Sequence, residues 1–157
     1  MKKILLTQGK FALVDDIDFK YLNQFKWCCY KDRSGGWYVQ RRNGKTTMSM
    51  HRSLLNARKG VVVDHKNGNG LDNQRENSRI CTIAENVRNR RGLNKNNKSG
   101  FRGVCWSKSH KSWQVEIRLN KKAIWLGRFK SLIKASKKYD EAAIKYFGEF
   151  SSLNFPP

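Results

Sequence analysis

Residues 61–91 read VVVDHKNGNGLDNQRENSRICTIAENVRNRR, and no other stretch restricts the fold as much. Val61, Val62 and Val63 are β-branched and predict a buried strand that ends in the pair Asp64 and His65. Residues 66–73 (KNGNGLDN) are dense in Gly, Asn and Asp, so a loop follows. After a second short extended piece, Thr82 can N-cap a helix. Glu85, at the third helical position, completes a capping box, and Ile83, Ala84 and Val87 offer an apolar stripe. Strand, loop, extended piece and helix make a ββα unit. It brings an imidazole at a strand end near polar groups on a helix, and Asp64, His65, Asn73, Asn77 and Asn86 are its candidates for chemistry.

The partner is suggested by charge. Among 157 residues, 33 Lys and Arg face 12 Asp and Glu, a formal net charge of +21 spread from Lys2 to Lys145. Self-repulsion on that scale calls for a polyanion, and nucleic acid is the first choice. No apolar run approaches bilayer-spanning length and no signal peptide opens the chain, so a cytoplasmic location without membrane or obligate protein partner is expected. Cys28, Cys29, Cys81 and Cys105 form no C-x-x-C pair, and the adjacent two suit neither one disulfide nor two zinc ligands. They are expected to be reduced packing residues without a structural zinc.

Upstream, strands are expected at 4–6 and 11–14 around a turn at Gly9, then a short helix capped by Asp15 or Asp16 that carries Phe19, Leu22 and Phe25. Residues 27–30 and 37–40 read as a hairpin across the loop 31–36, and Asn43-Gly44 turns the chain into 46–50. A helix over 53–57 leads to the central strand. His51, just before it, reads as a packing or phosphate-contacting residue ahead of a second active-site imidazole, and His110 as a solvated loop residue.

Downstream, residues 89–100 have no hydrophobic periodicity and read as a basic linker, with a domain boundary near Ser99. Three strand-like runs follow at 101–106, 113–119 and 123–129. A helix then runs from a Ser131 cap to about Phe147, ended by Gly148. The helix covers one face of the sheet. The other is left to Arg102, Trp106, Trp113 or Gln114, Arg118, Trp125 and Arg128, subject to register; whether these read DNA or the tryptophans are core stays open on pattern alone.

Five motifs bear on that choice: FRGV at 101–104, EIR at 116–118, WLGRF at 125–129, YDEAA at 139–143 and LNFP at 153–156. In this order they resemble the ethylene-response-factor or Apetala-type DNA-binding domain. The resemblance implies that Arg102, Trp106, Glu116, Arg118 and Trp125 face double-stranded DNA; Cys105 and Ala123 depart from positions often held by DNA-contacting arginine. MHR at 50–52, VDHKNGN at 63–69, LDNQREN at 71–77 and AENVRNR at 84–90 resemble the phage and intron-encoded HNH homing endonucleases, in the subgroup where Asn replaces the last His. Ser78 departs from the Leu usual there. The implied organisation is α+β: an HNH nuclease domain at 1–91 with an N-terminal antiparallel sheet and the ββα-metal unit, a basic linker at 92–98, and at 99–157 a three-stranded sheet packed on one helix.

Phosphodiester hydrolysis needs a base to deprotonate a water and a cation to neutralise charge on the phosphorane. His65, with an ordinary pKa near neutrality, suits the first task. The resemblance implies that Asp64 and Asn86 hold one Mg²⁺ through oxygen, with Mn²⁺ a substitute, and that Asn77 fixes the tautomer of His65. A site-specific, divalent-metal-dependent DNA endonuclease acting inside a host cell is therefore expected. The alternatives are a DNA-binding regulator with an inactive nuclease half, and an RNA-binding protein.

Overall fold

In the computed structural model, which describes residues 1–33, 35–90 and 92–156, the chain divides into two compact units, Met1–Asn86 and Val87–Pro157. The expectations that touch Ser34 in the first hairpin loop and Arg91 at the domain end lie outside the described residues.

In the first unit, β1 (Lys2–Leu5) pairs antiparallel with β2 (Phe11–Val14). After α1 (Asp16–Leu22), a meander of β3 (Cys28–Lys31), β4 (Trp37–Asn43) and β5 (Thr46–Ser49) forms a separate sheet. The single N-terminal sheet expected from sequence is thus two small ones. Both are needed to enclose a core of Ile4, Leu6, Ala12, Val14, Leu22, Trp27, Cys29, Val39, Met50 and Leu54. Trp27 donates its indole N–H to the Leu22 carbonyl at 2.8 Å, so its one polar atom is satisfied inside this core.

The next helix, α2 (Met50–Leu54), starts three residues before the expected 53–57. Burial of Met50 in the core decides the start, and it carries His51 into the interior as well. Arg52, within α2, ties the helix to the chain that follows it: its guanidinium donates to the carbonyls of Val61, Ala57 and Arg58. β6 (Val62–His65) and β7 (Ser78–Cys81) then pair antiparallel, and α3 (Ile83–Arg88) follows. The capping box is present, with Thr82 N–H donating to Glu85 Oε2 at 2.7 Å and Glu85 N–H to Thr82 Oγ1 at 3.2 Å. The stripe on α3 does not face a core, however: Ile83 is 73% and Val87 63% exposed. The helix end is set by its cap, not by burial.

In the second unit, β8 (Val104–Ser107), β9 (Ser112–Leu119) and β10 (Lys122–Phe129) form an antiparallel sheet in the order β10-β9-β8, with α4 (Leu132–Phe147) packed on one face. Ser131 caps α4 by accepting from the Lys134 N–H, and Gly148, at φ +53°, ends it. β8 is shorter than the expected 101–106 because Gly103, at φ +70°, turns the chain against the Tyr139 ring. The LNFP segment is pinned by Asp140, whose carboxylate accepts from the Asn154 and Phe155 N–H groups at 2.8 and 2.9 Å. Asn154 in turn accepts from the Arg102 N–H and donates to the Arg102 carbonyl. The end of the linker stretch is bonded into the same unit: Asn97 donates to the Phe101 carbonyl and Ser99 to that of Val104.

Candidate active site and nucleic-acid face

The loop between β6 and β7 is shaped by its own carboxamides. Asn67 and Asn69 side chains accept from the N–H groups of Asn69 and Leu71, two residues on in each case, as Asx turns do. Gly70 lies so close to the first hairpin that a Cβ there would sit 2.4 Å from the Trp37 carbonyl oxygen, so the loop is seated directly on β4. From the other side it is stapled to the start of the chain. Leu13 donates to the Leu71 carbonyl and Asn73 to the Leu13 carbonyl, both at 2.8 Å. Asp15 accepts from Gln74 and from the Arg75 N–H, which holds its carboxyl below the usual range, and Arg75 forks onto Asp18 with two 2.7 Å bonds.

This frame buries His65, the last residue of β6, to 4% exposure. Its Nε2 lies 3.5 Å from Asn73 Oδ1, and Asn73, fully buried, has its amide oriented by donation from Nδ2 to the Gly70 carbonyl. With the amide so turned, Oδ1 faces the imidazole and favours the tautomer with the proton on Nε2. The contact with the His65 ring expected of Asn77 is made by Asn73. Asn77 serves the loop, accepting from the Asn67 N–H at 3.0 Å and donating to the Asp72 carbonyl at 2.7 Å. Both are loop asparagines near the same strand, and only the turn geometry decides between them.

Asp64 is buried and its Oδ2 accepts from Arg79, Nη2 at 3.0 Å and Nε at 3.3 Å, in the cross-strand pair Asp64 and Arg79. Strand alternation sends His65 the other way, toward His51, Tyr38 and Asn73. Asn86 presents its carboxamide on the exposed side of α3. Among the described residues no group of three or more His, Cys, Asp or Glu is placed to hold a metal, so a cation here depends on one carboxylate and carboxamide oxygen. Ser78, opposite His65 across the strands, is buried with its hydroxyl unpartnered.

His51, read from the sequence as a packing or phosphate-contacting residue, is buried beside His65. Its ring centroid is 4.6 Å from that of His65, edge to face at 71°, and its Nδ1 is buried without a hydrogen-bond partner. Burial first, then the nearby His65 and Arg52, lower its pKa to about 3. Burial also pulls His65 below the ordinary value, against the opposing effects of Asn73 and Asp64. Since the folded chain refuses a proton that the unfolded chain accepts below about pH 6.5, His51 supports folding above that pH and the contribution fades on acidification toward about 3. Melting the wild type and His51→Leu between pH 7 and 4 should show a smaller loss of stability for the variant. Equal slopes would contradict the buried neutral imidazole.

In the second unit, register sorts the candidate DNA-facing residues. Val104 pairs with Val115 and Trp106 with Trp113, so Trp106 shares the α4 side of β8, stacking edge-on at 4.9 Å against the half-buried Trp113. Arg102 precedes β8 and turns to the chain end, donating to Ser152 Oγ and to the Arg90 carbonyl. Trp106 and Arg102 thus depart from the placement carried over by position. Glu116, Arg118 and Trp125 do share the open face, with Trp125 opposite Glu116 and Ala123 opposite Arg118. A bulge between Trp125 and Gly127 shifts the alternation, so that Arg128 pairs with Gln114 and its guanidinium lies over the Trp125 ring at 5.4 Å. Cys105, opposite Gln114, is exposed on this face, unlike buried Cys29, so it is no packing residue. His110 is a surface loop residue bonded to Ser107 and Ser109.

Comparison with known proteins places an AP2 domain at residues 99–149. The chain is 38% identical over 71 residues to dehydration-responsive element-binding protein 2A of Arabidopsis thaliana, covering 42% of this chain and 20% of that protein. It is also 38% identical over 59 residues to Protein 3.8 of Escherichia phage T7, covering 38% of this chain and 48% of that protein. The chain therefore spans about a fifth and about half of these relatives. No solved structure matches it. Among the described residues, no helix is long and apolar enough to cross a membrane.

Proposed function

We propose that the chain is a divalent-metal-dependent DNA endonuclease of the HNH kind, its first unit hydrolysing phosphodiester bonds and its AP2 domain choosing the duplex. The AP2 domain supports DNA binding. The observation that carries the nuclease reading is His65, an imidazole buried at a strand end, its pKa lowered by burial, with Asn73 Oδ1 beside its Nε2. In the reaction, the His65 imidazole takes the proton of a water in line with the leaving oxygen, and Asn73 accepts the N–H on Nε2.

Oxygen donors alone suit a hard cation, so Asp64 and Asn86 would hold Mg²⁺, or Mn²⁺ in its place, with water and phosphate completing the shell. The ion, when bound, neutralises charge on the phosphorane and the departing oxygen. Arg79 already occupies one Asp64 oxygen, so an ion there would share that carboxylate with the guanidinium. Asp64→Ala and Asn86→Ala should each raise the metal concentration needed for cleavage. The likeness to a phage protein is in keeping with a phage or intron-encoded source and action inside a host cell.

Incubating the whole chain with host or donor genomic DNA in Mg²⁺, in Mn²⁺ and with chelator tests the reading: cleavage that requires metal supports it, and cleavage in chelator contradicts it. The Asp64–Arg79 ion pair favours one other reading, a DNA-binding regulator with an inactive nuclease half. Undiminished sequence-specific binding with no cleavage under either ion would decide for it.

For recognition, Arg118→Ala should weaken binding by about 1–3 kcal/mol and relax preference at one base pair, if its guanidinium reads guanine. Arg102→Ala should instead lower the melting temperature of the second unit and leave the preferred sequence unchanged. The reverse pattern in a binding-site selection experiment would contradict the register argument.

A further inference from the structure

We infer that the second unit holds a pocket for one unpaired nucleotide of a DNA strand, its base against Trp106 and its phosphate between Lys98 and Lys108. The inference rests on the DNA binding that the AP2 domain supports and is independent of cleavage. Register takes Trp106 off the face that carries Arg118 and Trp125, yet α4 does not cover it. The indole is 46% exposed, whereas Val104, two residues earlier on the same side of β8, is buried. Trp113 packs edge-on against it at 4.9 Å and 65°, which fixes the plane of the exposed ring.

The facing wall comes from the stretch before the sheet. Asn97 donates to the Phe101 carbonyl at 2.7 Å and accepts from the Gly100 N–H at 2.8 Å, while the Ser99 hydroxyl donates to the Val104 carbonyl at 2.7 Å. These bonds hold residues 94–98 alongside β8, an edge strand of its sheet, and leave an open-sided pocket of about 520 Å³ between them and the two tryptophans. Pockets of about 300–1,000 Å³ take small organic ligands.

The lining selects the chemistry. The exposed indole offers a stacking face, the exposed carboxamides of Asn94 and Asn96 offer donors and acceptors to a ring edge, and Lys98 and Lys108 offer charge to a phosphate. Among the described residues no Asp or Glu lines the pocket, which suits an anion. A base inside a duplex is stacked on both faces and cannot present one to Trp106, so the nucleotide has to be unpaired or extruded. The open side lets the strand enter and leave.

The test titrates the full chain, in chelator so that the DNA stays intact, against oligo-dT carrying one 2-aminopurine and against the same strand paired with its complement. The wild type should change the 2-aminopurine emission of the single strand as the base stacks. Trp106→Ala should lose about 5–150-fold in affinity for the single strand, the range for one base on an aromatic side chain, with duplex affinity within about twofold. Trp106→Phe keeps a planar ring and should recover most of the loss. The paired substitutions Asn94→Ala and Asn96→Ala alter exposed side chains alone, so they test the pocket even where Trp106→Ala melts low: they too should weaken the single strand and spare the duplex. A wild type that binds neither form overturns the DNA reading of the domain and this inference together. With the duplex bound, this inference alone is overturned by an unchanged strand affinity in the Trp106→Ala or the asparagine variant, by equal losses on strand and duplex, or by no recovery in Trp106→Phe. It is overturned as well if free deoxyadenosine monophosphate displaces the strand as readily as a second strand does, or if oligo-rU binds in a Trp106-dependent way and oligo-dT does not.

Discussion

His65→Ala should abolish most cleavage, a positioned general base being worth about 10²–10⁴-fold, while affinity for the same duplex stays nearly constant. The two quantities separate because the substitution removes one buried neutral ring and leaves the +21 net charge untouched. Since burial lowers its pKa, His65 stays unprotonated somewhat below pH 6.5, and the wild-type rate should hold at mildly acidic pH where an exposed histidine would be lost as a base. His110→Ala, on an exposed loop, is the control and should cleave normally. Nicking and binding measured on one duplex decide the matter: a His65→Ala chain that cleaves at the native rate removes the base from the mechanism.

The second large effect is on stability. Gly103→Ala should unfold the second unit more easily by about 2–4 kcal/mol, combining the left-handed backbone cost with overpacking. The new Cβ would stand 2.0 and 2.2 Å from two Tyr139 ring atoms and 2.8 Å from the Glu116 carbonyl oxygen. Tyr139 is itself buried in the core cluster with Val104, Val115 and Ala143, so its ring cannot yield without disturbing that core. Gly100 is a matched comparison, because its φ of +76° is similar and nothing lies within 4 Å of its Cβ position. Gly100→Ala should cost only the backbone term, about 1 kcal/mol. In a unit of this size the Gly103 variant should melt on the order of 10–20 °C lower. Equal melting temperatures for the two variants would show that the Tyr139 contact is not what requires glycine.

Features whose partners are near in sequence were legible before folding. The capping box needs only Thr82 and Glu85, three residues apart, and Ser131 and Gly148 mark α4 by the same local rules. What failed depended on distant packing. His51 and His65 meet because α2 begins at Met50, and no spacing rule connects them. Asn73 and Asn77 are alike in composition, and the choice between them is made by turns that bury one and leave the other bonded to loop backbone. On the C-terminal sheet, Trp125 and Arg128 were expected on one face; residues three apart lie on opposite faces of a regular strand, and the bulge beside Gly127 brings them together. Trp106 was misplaced for the opposite reason, since a motif fixes position along a strand but not which way a side chain leaves it.

The staple between the first residues and the β6–β7 loop has a bearing on assembly. The bonds from Asp15 and Asp18 to Gln74 and Arg75 join residues 57 to 60 apart in sequence, and the Leu13 contacts span as far. Closing so long a segment costs entropy that only the finished contacts return. The pocket around His65 should therefore gain its hydrogen-exchange protection late in refolding, after the meander and the hairpin of β1 and β2. A fragment cut out from residue 58 onward, or that ββα unit grafted into another host, would carry the whole motif and still lack the ordered loop that turns Asn73 toward the imidazole.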